Sequence, residues 1–184
     1  MYISNKSNFN ISFVYTTKNN ATFVPTIITY TIMEIDEIVK SSIALDDSKK
    51  IIFSILYTQS IINDKFNELL KPFDLSGEQF NVLRILRGQK GKPANMCLLQ
   101  ERMIAKNSNT TRLIDKLLVK ELVTRKVCPD NRRKIEVLIT EKGMNLLSIL
   151  DPKVIENENQ FCQNLSKIEQ TQLIELLEKY RQLK

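Results

Sequence analysis

Apolar residues recur every three to four positions in three long stretches of the chain, and this spacing predicts amphipathic helices. The first stretch runs from about Asp47 to just before Pro72, the second from Thr140 toward Phe161, and the third starts at Ser166. All three are rich in Leu, Ile and Phe. This is more apolar surface than a small domain covers by itself. It is expected to pack either within the core of the same chain or against a second copy of the chain.

Short polar signals mark where two helices begin. Ser76 precedes Gln79 by three residues, which is the spacing of a capping box, and the apolar positions that follow predict a helix that ends at Gly88. Ser166 and Glu169 have the same spacing at the start of the last helix. Both helices are therefore expected to begin with side chains that satisfy the free backbone N–H groups.

Two short helices are predicted in the middle of the chain, at residues 94–104 and about 108–121. Only Ala105, Lys106 and Asn107 separate them, and two short helices joined by a tight turn form a helix-turn-helix. The second helix has a clear apolar side, and Asn107 or Ser108 is expected to cap its start.

Beyond these helices, apolar residues alternate with polar ones, and the period falls from about 3.6 to about 2. One alternating run covers residues 123–128, and a second places Ile135, Val137 and Ile139 on one face, with the segment PDNRRK between them. This pattern predicts a two-stranded hairpin with a charged tip. The fold class expected is therefore mainly α with a small β-hairpin wing: a winged helix-turn-helix domain flanked by long helices.

Charge is concentrated in this middle part of the chain. The 184 residues are 42% hydrophobic and 26% charged, which is ordinary for a soluble chain with one sizeable core. The chain has 27 Lys and Arg and 21 Asp and Glu, and residues 92–142 hold twelve of these bases and six of these acids. The charges of residues 1–33, 34–91 and 143–184, taken together, sum to zero. A polyanionic partner is expected to meet residues 92–142, and a basic solvated face is the plainer alternative.

Composition excludes several classes of function. The chain has no histidine, which removes Ser-His-Asp and Cys-His catalysis and every zinc site that needs histidine. Its four glycines lie too far apart for a nucleotide-binding loop. Cys97, Cys128 and Cys162 are odd in number and widely spaced, so neither a disulfide framework nor a metal site is expected. We therefore expect no enzyme activity, no cofactor and no bound metal.

Residues 1–33 differ from the rest, since they contain no acid and are rich in Asn, Ser and Thr. We interpret them as an N-terminal extension. Either translation begins at Met33 and the preceding residues are not native, or the segment is an arm whose alternating apolar residues pair as a weak strand. No stretch of about twenty apolar residues and no targeting segment is recognised, so a cytoplasmic protein without a membrane span is expected.

The second helix of the helix-turn-helix begins with candidate DNA-binding side chains. A recognition helix enters the major groove at its N-terminal turn, where short polar side chains meet base edges and phosphates. The candidates are Asn107, Ser108, Asn109, Thr110, Thr111, Arg112 and Lys116. Capping explains Asn107 and Ser108 at least as well, whereas DNA contact is the better explanation for Arg112 and Lys116, because they lie opposite the apolar side.

The tip of the predicted hairpin carries a second group of candidates. Arg132, Arg133 and Lys134 follow one another where a wing reaches along the duplex, and an arginine there suits the narrow, negative minor groove of A·T-rich DNA. Asp130 would be repelled by phosphates, so its expected role is to shape the tip by pairing within the turn.

The stretch NTTRLIDKLLVKELVTRKVCPDNRRKIEVLITEKG resembles the signature of the MarR family of bacterial transcriptional regulators. In that signature a recognition helix runs into "LV-R", a D-x-R-R wing and an "LT-x-x-G" helix start. The resemblance covers roughly residues 45–184, and it departs at Glu121, where the family often has Gly, and at Ile139, where Leu is common. By this match, Ser108 to Arg112 fall on the major-groove helix and Arg132 on the minor-groove wing residue. Without that Gly, the turn at Glu121 is expected to be less relaxed.

The resemblance also implies a domain organisation and partners. Residues 76–140 would bind DNA, residues 34–75 and 141–184 would form an obligate homodimer, and residues 1–33 have no counterpart in the family. A twofold dimer implies a pseudo-palindromic operator on double-stranded DNA. Many members are repressors relieved by a small aromatic effector, whereas some sense peroxide through a cysteine in the first long helix, which this chain lacks.

Three classes of function therefore compete. A sequence-specific DNA-binding regulator, a homodimeric repressor, is the first, and a winged helix that binds an acidic protein surface without reading DNA is the second. Binding to duplex DNA that falls steeply as salt rises is expected only of the first. A histidine-free enzyme would need paired carboxylates, and Asp46, Asp47 and Asp130 form no such pair.

Overall fold

A computed structural model describes residues 34–106, 108–128 and 131–182. The described part of the chain divides after Thr58 into two compact units. In the first unit a four-residue helix, α1 (Ile35–Ile38), precedes the start of α2 (Asp47–Leu70). Asp36 and Lys50 form an ion pair of 2.6 Å, and the hydrogen bond that Lys50 donates to Asp36 raises the pKa of Lys50. This pair fastens α1 to the beginning of α2.

The second unit contains the rest of α2 and all the later elements. A 3-10 turn at Lys71–Phe73 follows α2. The remaining elements in chain order are α3 (Gly77–Gly88), β1 (Ala94–Asn95), α4 (Met96–Arg102), α5 (Thr110–Val119), β2 (Val123–Cys128), β3 (Asn131–Ile139), α6 (Glu141–Cys162) and α7 (Lys167–Tyr180). The sheet is antiparallel with strand order β1-β3-β2. The predicted fold class, mainly helical with a small β wing, is confirmed.

Both predicted capping boxes are present. The Ser76 hydroxyl accepts the Gln79 N–H at 3.3 Å, and the Gln79 side-chain oxygen accepts the Ser76 N–H at 3.1 Å. Ser166 and Glu169 form the same reciprocal pair, and hydrogen bonds from Ser166 lower the pKa of the Glu169 carboxyl group. Each exchange satisfies N–H groups that a helix start otherwise leaves without an intrahelical partner.

Within the described residues the sheet has three strands, so the prediction of a two-stranded hairpin was incomplete. Ala94 and Asn95, which we predicted to open a helix, pair instead with Val137 and Glu136 of β3. Asn95 then caps α4, because its side-chain oxygen accepts the Leu98 N–H at 2.9 Å. A two-residue strand has no periodicity of its own, and its pairing with a strand some forty residues later is a tertiary effect.

The start of α5 was also predicted incorrectly. The cap is Asn109, whose side-chain oxygen accepts the Arg112 N–H at 3.1 Å, and not Asn107 or Ser108. The helix therefore begins at Thr110, two residues later than expected. Three consecutive residues of this segment favour caps, so composition alone does not choose among them, and the choice depends on where the packed chain starts the first turn.

The hydrophobic core lies between α3, α4, α5, the sheet and the first half of α6. Its fully buried side chains include Leu83, Leu86, Leu99, Met103, Ile114, Leu117, Val137, Leu147 and Leu150. At its edge, the Arg87 guanidinium of α3 donates to the Asp151 carboxylate of α6 at 2.5 and 3.1 Å, and this hydrogen bonding raises the pKa of Arg87. The two-pronged contact ties α3 to α6 in one orientation.

The turn between α5 and β2 packs tightly against the start of α6. Thr140 caps α6 by accepting the Gly143 N–H at 3.0 Å, and its hydroxyl donates to the Glu121 carbonyl at 2.8 Å. A side chain at Gly143 would overlap the Leu122 carbonyl oxygen, so only glycine allows this approach. Glu121 has φ +60°, a left-handed conformation that favours glycine, which agrees with the expectation of a strained turn there.

Candidate DNA interface

Helix α5 has one side in the core and one side in solvent. Ile114 and Leu117 are buried, whereas Thr111, Arg112 and Lys116 are exposed. The apolar contacts of the buried side fix the rotation of the helix on the core. The polar and basic side chains on the other side are consequently held outward on a rigid element, as groove contact requires.

The residues before the first turn of α5 differ in how accessible they are. Asn109 is exposed and Ser108 is half-buried, whereas Thr110 is only 6% exposed and its hydroxyl donates to the Ser108 carbonyl at 3.4 Å. Among the predicted contacts whose side chains the structure describes, Thr110 is therefore the least favourably placed. Asn109 presents its amide beside the free backbone N–H groups of the helix start, which is a favourable environment for a phosphate.

The wing consists of β2 and β3. Their pairing is regular from Val123 opposite Ile139 to Val127 opposite Ile135, and it becomes irregular where Cys128 pairs with Asn131. The backbones of Arg132, Arg133 and Lys134 belong to β3, next to the tip, while their side chains lie outside the described part of the structure. Asn107 and Asp130 also lie outside the described residues.

One pair of residues that the sequence analysis missed connects α5 to the wing. The Arg125 guanidinium of β2 donates to the Asp115 carboxylate of α5 at 3.0 Å. Their side chains are 43% and 54% exposed, so the pair is worth little stability, but it sets the position of one element against the other. In the sequence, Asp115 is an acid between Arg112 and Lys116 on an otherwise basic helix face. An acid in that position indicates that a cation from another element lies nearby.

Among the described residues, no three His, Cys, Asp or Glu side chains are grouped as a metal site would need. Of the helices described, none combines the length and the apolar character required to cross a membrane. Cys97 and Cys162 are exposed free thiols.

Comparison with known proteins gives a family. A model of the MarR family matches residues 75–135. The HTH-type transcriptional regulator MhqR of Bacillus subtilis (strain 168) is 30% identical over 118 residues, which cover 64% of this chain and 80% of that protein. The chain belongs to the MarR family. It is thus a DNA-binding transcription regulator with a winged helix, and its relatives are transcription regulators rather than enzymes.

Solved structures agree with this MarR-family fold. A MarR transcription factor from Planctomyces limnophilus is 29% identical and superimposes with a TM-score of 0.59, covering 73% of this chain and 98% of that one. Bordetella bronchiseptica BpsR has a TM-score of 0.67 at 19% identity, covering 77% and 99% of the two chains. At that identity, the second likeness supports the fold alone.

Proposed function

We propose that this MarR-family regulator is a homodimeric repressor that reads a pseudo-palindromic operator. The observation that carries the proposal is the outward basic side of α5, held on the core of the domain with the largest excess of positive charge. In this proposal Arg112 donates to a guanine edge or a phosphate, Lys116 binds phosphate one turn further, and the wing follows the minor groove. The full contact set is Asn107, Ser108, Asn109, Thr110, Thr111, Arg112, Lys116, Asp130, Arg132, Arg133 and Lys134.

Residues 34–75 and 141–184 are the proposed dimerisation regions, around a DNA-binding domain at residues 76–140. Among the described residues, α7 buries none of its side chains within the chain and α2 buries only Leu70. Their exposed large hydrophobic residues are Ile51, Ile52, Leu56, Tyr57, Ile61 and Ile62 in α2, and Ile168, Leu173, Ile174, Leu176 and Tyr180 in α7. Apolar surface of this extent is typical of an interface, and a second copy covers it symmetrically.

A small aromatic effector that relieves repression is the finer part of the proposal. The structure of BpsR describes regulation of that protein's DNA binding by 6-hydroxynicotinic acid. In this chain an open groove of about 880 Å³ lies between the end of α2 and α5, and Lys71, Lys116 and Lys120 are among its lining residues. Asp64, Glu68 and Asp74 also line the groove, and Asp74 already pairs with Lys120. The groove is the proposed effector site, with Lys71 and Lys116 as the bases that pair with a planar acid. Titration of a protein–operator complex with 6-hydroxynicotinic acid as the probe tests this effector site. The expected result is release of the DNA.

Selection of bound fragments from random duplex DNA tests the main proposal. Two half-sites related by a dyad, with centres about one helical turn apart, are the expected result. If no fragments are enriched while the protein still binds acidic proteins, the domain is an interaction module and the proposal is wrong.

A further inference from the structure

Lys120, at the end of the proposed recognition helix α5, contacts several hydrogen-bond acceptors at once. Lys120 is the C-cap residue of α5, and its side chain is 23% exposed, whereas that of Asp74 is 93% exposed. Its ammonium group lies 3.0 Å from the Asp74 carboxylate, contacts the Asp74 main-chain carbonyl, and lies 3.5 Å from the Gln79 side-chain oxygen. Three acceptors from one short segment therefore surround a single amine.

The acceptors belong to the junction at which α2 ends and α3 begins. Asp74 has φ +51° and ends the 3-10 turn that follows α2. Gln79 is 3% exposed, and its side-chain oxygen already accepts the Ser76 N–H of the capping box. The junction is thus held on one side by partly buried hydrogen bonds, and Lys120 attaches the end of α5 to it.

We infer that Lys120 and Asp74 are positioning residues, which transmit the orientation of the end of α2 to the DNA-contacting helix α5. The inference rests on the proposed contact of α5 with DNA. Apolar packing through Leu117 fixes the rotation of α5 on the core. The contact of Lys120 with Asp74 adds a charged link at the end of α5, and it couples α5 to the helix proposed to form the dimer.

A second explanation of Lys120 makes the opposite prediction for Asp74. If Lys120 simply binds phosphate, neutralising Asp74 removes a competing acid and should tighten DNA binding. If the pair positions α5, Asp74→Asn weakens DNA binding although it makes the protein more positive. Asparagine also tolerates the left-handed backbone of this position, so the substitution tests the charge and not the fold.

The experiment measures affinity for a selected operator duplex by fluorescence anisotropy, over a range of salt concentrations, for Lys120→Met, Asp74→Asn and the double variant. We expect each single variant to lose roughly three- to tenfold in affinity. We expect the double variant to lose no more than the single variant with the larger loss. We expect the slope of log Kobs against log[salt] to stay the same, because no phosphate contact is lost.

Lys65→Met and Glu68→Gln are the matched controls. Lys65 and Glu68 form an exposed ion pair of 3.2 Å inside α2, so these variants remove the same charges without disconnecting two elements. They are expected to bind DNA within about twofold of the wild type. Circular dichroism melts show whether each variant is folded at the assay temperature, and Asp74→Asn keeps the test decisive if Lys120→Met unfolds.

Three results would overturn the inference: tighter binding by Asp74→Asn, a salt slope for Lys120→Met that is smaller by about one, or wild-type affinity in both variants. An equal loss in the α2 controls would also overturn it. Failure of the wild type to bind any duplex would instead reject the proposed function.

Discussion

The winged domain and the two long helices α2 and α7 contain similar residues but use them differently. Leu117 of α5 is fully buried, whereas Leu176 of α7 is 64% exposed. In the first region the apolar residues form the core of one chain, and in the second they remain on the surface. Hydrophobic content therefore predicts that a helix is buried somewhere, while the partner that buries it depends on tertiary structure.

The largest expected effect separates the two kinds of leucine. Leu117→Ala should lower the free energy of unfolding by about 2–5 kcal/mol, because it opens a cavity in a closed core. Leu176→Ala should raise the dissociation constant of the dimer, so its effect on the melting temperature should grow as protein concentration rises through the dissociation constants and then level off. Calorimetry at several concentrations measures both. A Leu176→Ala effect independent of concentration would place that side chain in the core of its own chain.

Gly143→Ala tests how closely α6 approaches the winged domain. The new methyl group would overlap the Leu122 carbonyl oxygen and lie 2.8 Å from the Ile139 side chain, so we expect a loss of about 2–4 kcal/mol in urea unfolding. Gly88→Ala is the control, since a methyl group there meets no atom within 4 Å. Equal stability of the two variants would mean that α6 starts farther from the α5–β2 turn.

Side chains that contact DNA should affect binding without affecting folding. Arg112→Ala should weaken operator binding generally, and Arg132→Ala should weaken it mainly at A·T-rich flanks, each by about 1–3 kcal/mol if the contact is to bases. Anisotropy with operators of different flanking sequence measures both effects. Affinity retained in both variants would contradict the proposed contact set.

The smallest effect concerns the turn at Glu121. Glu121→Gly relieves the left-handed backbone, so we expect the melting temperature to rise by roughly 1–4 °C. In the wild type, an ion pair of 2.8 Å with Lys142 lowers the pKa of Glu121 below its usual 4.5, and the substitution removes this pair. That stabilisation is present at neutral pH and is lost as the pH falls below 4.5, so the advantage of glycine should grow in acid. A melting-temperature gain that shrinks in acid would contradict this account.

Local signals predicted the helices from α2 onward and both capping boxes, because Ser76 and Gln79 interact over three residues and carry their own spacing. The features missed are non-local. Strand β1 exists only through its pairing with β3, and the contacts of Arg125 with Asp115 and of Lys120 with Asp74 join residues 10 and 46 positions apart. The candidate DNA contacts were predictable by type, while the cap at Asn109 and the burial of Thr110 required the packed helix.

The most direct test of the account measures binding of a selected operator duplex against salt concentration, together with the mass of the complex by sedimentation equilibrium. We predict two chains per duplex and a steep linear fall of log Kobs with log[salt], as expected when several phosphates are neutralised by lysine and arginine. A strictly monomeric protein, or one with no affinity for any duplex in dilute buffer, would contradict the central claim.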